Sequence, residues 1–233
     1  YLHTGDADLN VPLLTTDADL AINTRDLAQV PEIGGVLRDA GFTPGPNPGH
    51  WVNTGDVAVD LMVVPPQAGT AKASARAARL DPHEKLTARI ARGLEPALID
   101  NTPVAITALE AGDTRAFDLR VAGPAALLTA KAIKINERFE QADNQPDRLK
   151  EKDALDAFRI VQAVETDELV TGFTRHRADE HAATVTAEAI EIYRVHASTT
   201  QGRIVQLAAS AAQNDPTVAP AFAALVLDLL AAL

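Results

Sequence analysis

The run DVAVDLMVVPP, Asp56 to Pro66, constrains the fold more than any other stretch of the chain. It alternates with a period of two, so Val57, Val59, Leu61 and Val63 share one face of a strand while Ala58, Asp60, Met62 and Val64 share the other. Such a strand needs neighbours, and the sequence supplies candidates upstream. HWVNTG, from His50, reads as a short strand ended by Thr54 and Gly55, which makes a hairpin into the Asp56 run plausible. TTDADLAIN, from Thr15, also alternates as a half-buried strand would. Ala18, Leu20 and Ile22 fall on one face, and Asp17, Asp19 and Ala21 on the other.

The remaining segments change character near residue 123. PEIGGVLRDAGF, from Pro31, predicts a short helix closed by Gly41, and PGPNPG predicts a turn-rich loop. The alanine-rich, basic segment from Thr70 to Gly93 reads as helix or mobile loop around Asp81-Pro82. TPVAITALE and TRAFDLRVA are strand candidates separated by the turn AGD. Pro124 then suits the first turn of a long helix, PAALLTAKAIKINERF, because its missing N–H is one a helix start leaves unpaired anyway. A QADNQPDR loop, the helix LKEKDALDAFRIVQAV and an entirely helical remainder follow. The expected fold class is therefore α+β. A small mixed β-sheet core with flanking helices spans residues 1–122, and an all-helical region spans 123–233.

Composition narrows the chemistry. The chain contains no cysteine, so disulfides and thiolate metal sites are excluded. Its six histidines form no H-x₃-H pair or other metal spacing. The most apolar segment, APAFAALVLDLLAAL, is shorter than the roughly 20 residues a membrane span needs, and it carries Asp228. It reads as a buried helix or one at a subunit contact, and a cytoplasmic protein with no membrane partner is expected. The first residue is Tyr1 rather than Met, so a natural start upstream is expected.

The net charge of −11 argues against generic nucleic-acid binding. The distribution is uneven, however. Between Lys72 and Arg92 six basic residues (Lys72, Arg76, Arg79, Lys85, Arg89, Arg92) meet two acidic ones, Asp81 and Glu84. A local phosphate-binding surface is compatible with that segment.

Asp17 and Asp19, two apart on one strand face, can share an ion, and Asp60 is the natural third member if its strand lies beside theirs. Asp6 and Asp8, in the near copy GDADLN, lack flanking apolar runs and read as loop residues. On the long helix Lys131 and Arg138 lie seven residues apart and share a face, with Lys134 near its edge. Asp153 and Asp156 likewise share a face, where they could orient Lys131, polarise an acceptor hydroxyl or form a plain salt bridge. His50 and Trp51 precede Asp60 and could line a pocket, with Trp51 against a base, although such a tryptophan is more often core.

TTDADLAI followed by a helix and then VAVDLMVV resembles the DNA polymerase β-type nucleotidyltransferase superfamily. LLTAKAIKINER with KEKDALDAFRIV resembles its AbiEii-type (MenT-like) toxin nucleotidyltransferases. The resemblance covers residues 1 to about 165. It implies that Asp17, Asp19 and Asp60 hold Mg²⁺ and that Lys131 is the helix lysine. It also implies that Asp153 is the downstream aspartate, with Lys152 and Asp156 beside it. Lys131, Arg138 and Lys152 are then the candidate nucleotide contacts. The implied activity is that of an ATP-binding enzyme that transfers an NMP from an NTP to a tRNA 3′ end or a protein, with a cognate antitoxin as partner. Two positions depart from the family. No Gly-Gly or Gly-Ser pair precedes Asp17, so that pair is expected upstream of Tyr1, and Leu13 stands where relatives often carry Arg. Two alternatives stay open: modification of a small molecule such as an aminoglycoside, and a catalytically silent nucleotide- or partner-binding module.

Overall fold

The computed structural model describes residues 3–4, 17–72, 74–108, 112–142 and 150–233. Asp6, Asp8, Leu13, the turn at 109–111 and most of the QADNQPDR loop lie outside the described residues. The described chain is mixed α/β, with two sheets followed by a helical C-terminal region. It divides into two compact units, Pro12–Leu94 and Glu95–Leu233, the second also including His3 and Thr4. The sequence-based boundary at 122/123 differs from this division in where it assigns the second sheet.

The first unit is built on a five-stranded sheet. Its strands are β1 (Asp17–Ala21), β2 (Phe42–Pro44), β3 (His50–Asn53), β4 (Ala58–Val63) and β5 (Arg89–Ile90). β4 is central. β1 pairs parallel along one edge, and β3 pairs antiparallel along the other as the expected hairpin. Beyond β3 on that edge β5 takes over in parallel, and β2 extends the sheet outside β3. Gly49 sits at the handover with φ +77°, and a Cβ there would lie 2.3 Å from the Leu61 carbonyl oxygen and 2.6 Å from the Arg89 nitrogen. Only glycine tolerates both the conformation and the close backbone.

Alternation along these strands gives the sheet two unlike faces. Trp51, Leu61 and Val63 are buried with Ala68, Ala78, Leu80 and Ala88, and Ile22, Ile33, Leu37, Phe42, Val59 and Ile90 pack against them. The short helix α1 (Ile33–Asp39) contributes to this core; the Glu32 carboxylate accepts from the Gly35 N–H at 2.6 Å, and Gly41, at φ +84°, closes it. β1 departs from the half-buried expectation. As an edge strand it is exposed along its whole length, and Leu20 retains 40% of its surface.

Residues 70–93 form no helix among those described, despite their alanine content. Their backbone is committed to long-range bonds, Ala78 N to Ala88 O at 3.0 Å and Arg79 N to Ala68 O at 2.8 Å, which bring Ala78, Leu80 and Ala88 into the core. Tertiary burial here overrides local propensity.

The second unit joins an antiparallel ribbon, β6 (Asn101–Thr107) and β7 (Ala116–Ala122), to six helices. These are α2 (Pro124–Gln141), α3 (Glu151–Ala163), α4 (Thr166–Ala178), α5 (Ala183–His196), α6 (Arg203–Ala211) and α7 (Val218–Ala232). Pro124 opens α2 as expected. One apolar core runs through all six helices, including Leu128, Phe158, Phe173, Tyr193, Ile204 and Phe222. The terminal helix α7 is a packed member of it, burying Val218, Phe222, Val226 and Leu229. Among the described residues no helix is long and apolar enough to cross a membrane.

Candidate functional site

In the first unit the parallel register of β1 with β4 sets Asp19 directly against Asp60, and Asp17 against Ala58. Directly paired residues point to the same side of a sheet, so all three aspartates occupy the face opposite the core. His50 is paired with Asp60 from β3, and Arg89 with Met62 from β5, so both join that face. His50 Nδ1 lies 2.8 Å from Asp60 Oδ1. Arg89 Nη2 lies 3.4 Å from Asp60 Oδ2 and 3.8 Å from Asp19 Oδ1. Asp60 is half-buried among these partners, while Asp19 is exposed.

The donor set of Asp19 and Asp60 consists of carboxylate oxygens, the chemistry Mg²⁺ prefers, and one cationic nitrogen already lies within 4 Å of both groups. Among the described residues no group of three or more His, Asp or Glu side chains converges as a ready-made metal cage. The pair thus suits an ion held by one or two carboxylates, with water and substrate oxygens completing its shell. Trp51, a pocket candidate, is fully buried on the core face, where its indole N–H donates to Thr87 O at 3.2 Å.

The second unit holds the other candidates. Lys131 Nζ on α2 donates to Asp153 Oδ1 at 2.9 Å and to Asp156 Oδ2 at 2.7 Å on α3. Lys134 reaches Asp153 at 3.2 Å, Arg138 hydrogen-bonds the other Asp153 oxygen, and Arg159 approaches Asp156 at 3.6 Å. Asp153 is only 5% exposed. Burial pushes its carboxyl up, but the charges of Lys131, Lys134 and Arg138 outweigh burial and hold its pKa down at about 2. Burial likewise pulls Lys131 down, and Asp153 and Asp156 more than reverse it, so the ammonium stays charged. The structure therefore joins Lys131, Arg138, Asp153 and Asp156 in one ion-pair network, while Lys152 is exposed on α3.

Two features escape a reading of the sequence. Arg89 belongs to a strand of two residues, too short for a period, although Ala88, Arg89 and Ile90 do alternate between core and polar face. Asp100 and His176 are 76 positions apart. The fully buried His176 Nε2 lies 2.8 Å from Asp100 Oδ2, and Arg175 donates to Oδ1 at 2.9 Å. The His176 hydrogen bond lowers the Asp100 pKa. Gly123 and Gly172 leave room for this carboxylate; a Cβ on Gly123 would stand 2.5 Å from Asp100 Oδ2. The arrangement ties β6, α2 and α4 together.

No family model matches the chain, and neither a curated protein nor a solved structure matches it.

Proposed function

We propose that the chain is a Mg²⁺-dependent nucleotidyltransferase whose catalytic carboxylates are Asp17, Asp19 and Asp60. The observation that carries this reading is the pairing of Asp19 with Asp60 across β1 and β4, with Asp17 on the same face. A strand pairing one residue out of step would have turned the aspartates to opposite faces. Asp19 and Asp60 would hold the ion, and Asp17 would serve its outer coordination or the substrate. When bound, Mg²⁺ neutralises phosphate charge and orients the triphosphate for in-line displacement. The acceptor hydroxyl oxygen bonds to the α-phosphorus, the bond to the bridging β-phosphate oxygen breaks, and pyrophosphate leaves with that electron pair. The hydroxyl proton passes to solvent or to a neighbouring carboxylate.

The chain's own part in such a reaction is mostly positioning and electrostatics. His50 fixes one Asp60 oxygen at 2.8 Å, which orients the other oxygen. In the helical unit Lys131, Lys134, Arg138 and Arg159 are paired with the carboxylates of Asp153 and Asp156. Asp153 then acts as a positioning residue for Lys131 and Arg138. Acceptors under this proposal are a tRNA 3′ end or a protein, with a small cationic molecule as the competing class. A catalytically silent nucleotide-binding module is favoured by a different observation: Lys131 is already paired with two carboxylates.

Incubation with each α-labelled NTP, Mg²⁺, total RNA, cell protein and aminoglycosides tests the proposal. Label transferred by wild type but not by Asp60→Asn supports it and identifies the acceptor. Nucleotide binding without transfer to any acceptor favours the silent module.

A further inference from the structure

Arg89 is held more loosely than Arg38 of the same unit. Arg38 grips Glu84 with two hydrogen bonds of 2.6 and 2.8 Å, the bidentate geometry in which guanidinium–carboxylate pairs are strongest. Arg89 instead reaches Asp60 at 3.4 Å and Asp19 only at 3.8 Å. Its same Nη2 lies 3.0 Å from Met62 Sδ, a weak acceptor, and its Nε is buried with no hydrogen-bond partner. Register explains the position, since β5 pairs Arg89 with Met62 and turns the side chain onto the carboxylate face. Electrostatics explains why it stays: Asp19 and Asp60 are like charges directly opposed on neighbouring strands, and such pairs need a counter-charge.

We infer that Arg89 is a displaceable counter-ion of the Asp19–Asp60 pair and makes divalent-cation binding depend on nucleotide. The inference rests on reading that pair as cation ligands. A divalent ion and the guanidinium compete for the same carboxylate oxygens. A free ion must expel Arg89 and leave it facing the ion's own positive charge. An ion arriving with a triphosphate supplies phosphate oxygens that the released guanidinium can take as new partners. Ion and nucleotide are then thermodynamically coupled, each tightening the other by the same factor. Arg89 thereby selects the ion–triphosphate complex over the free ion.

The test uses Mn²⁺ alone, followed by the loss of its free-ion electron paramagnetic resonance signal, on the full chain. A wild type that binds Mn²⁺ weakly, with an Arg89→Gln variant tighter by about fivefold or more, supports the inference; fivefold corresponds to the ~1 kcal/mol of a good exposed ion pair. Adding a non-hydrolysable NTP should tighten Mn²⁺ binding in wild type and do so less in Arg89→Gln. Arg89→Lys keeps the charge and should bind Mn²⁺ as weakly as wild type, which covers the case of a poorly folded glutamine variant. Asp19→Asn added to Arg89→Gln should abolish the gain. Arg89→Gln binding Mn²⁺ no tighter than wild type, or a gain that survives Asp19→Asn or is shared by Arg89→Lys, overturns the inference. Because Mn²⁺ binding to the variant is read without nucleotide, its outcome is separate from any failure of the protein to bind NTP or transfer NMP.

Discussion

Asp153→Asn offers the sharpest quantitative test of how the helical unit is held together. The substitution keeps the shape of the side chain but removes a charge shared by Lys131, Lys134 and Arg138. The native carboxyl titrates at about 2, whereas an unperturbed aspartate titrates near 3.9. That difference corresponds to about 2–3 kcal/mol of stability at neutral pH. Asp153 is nearly buried, so solvent screening takes little from this figure. The variant also takes from Lys131, Lys134 and Arg138 the carboxylate they share, and breaking a buried pair typically costs about 3–5 kcal/mol. A loss of about 3 kcal/mol is therefore expected, lowering the helical melting temperature by roughly 6–12 °C. Far-ultraviolet circular dichroism during urea and thermal unfolding reads it. The sign with pH follows from a depressed native pKa. The Asp153 contribution is fully present above about pH 4 and is lost as pH falls towards 2. The gap between wild type and variant should thus narrow between pH 4 and pH 2. A variant within 0.5 kcal/mol of wild type at pH 7, or a gap unchanged across that range, would refute the reasoning.

The chain's single tryptophan reports on the first unit. Gly49→Ala forces a Cβ against two backbone atoms at positive φ, so the tryptophan-monitored urea midpoint should fall by the equivalent of about 3 kcal/mol or more. A midpoint within error of wild type would show that β3 and β5 can part without cost. Trp51→Phe should leave nucleotide affinity unchanged, because the indole faces the core; a large loss in titration calorimetry would restore a base-stacking role. Tyr193→Phe removes a buried hydrogen bond to Leu128 O and should cost about 1 kcal/mol in the helical transition.

The polar and apolar faces of the first sheet were legible in β4, which alternates long enough to show a period, whereas β1 alternates in sequence but is exposed throughout. Asp60 stood out within an apolar run, and register did the rest by bringing it to Asp19. β2 was hidden by the turn residues that follow it, and β5 by its length of two residues. The shared faces of α2 and α3 were readable from helical spacing. That Lys131 would be bound between Asp153 and Asp156 depends on how those helices pack, which spacing alone leaves open. Asp100 and His176 carry no local pattern at all, since each is informative only beside the other.

The central claim is that Asp19 and Asp60 form a cation-dependent nucleotide site. Titration calorimetry of each NTP into wild type and Asp60→Asn, with Mg²⁺ and with EDTA, tests it most directly. At least one NTP should bind wild type in Mg²⁺, and that binding should disappear in EDTA and in Asp60→Asn. Nucleotide binding unaffected by EDTA and by the substitution, or no binding of any NTP to wild type, would contradict it.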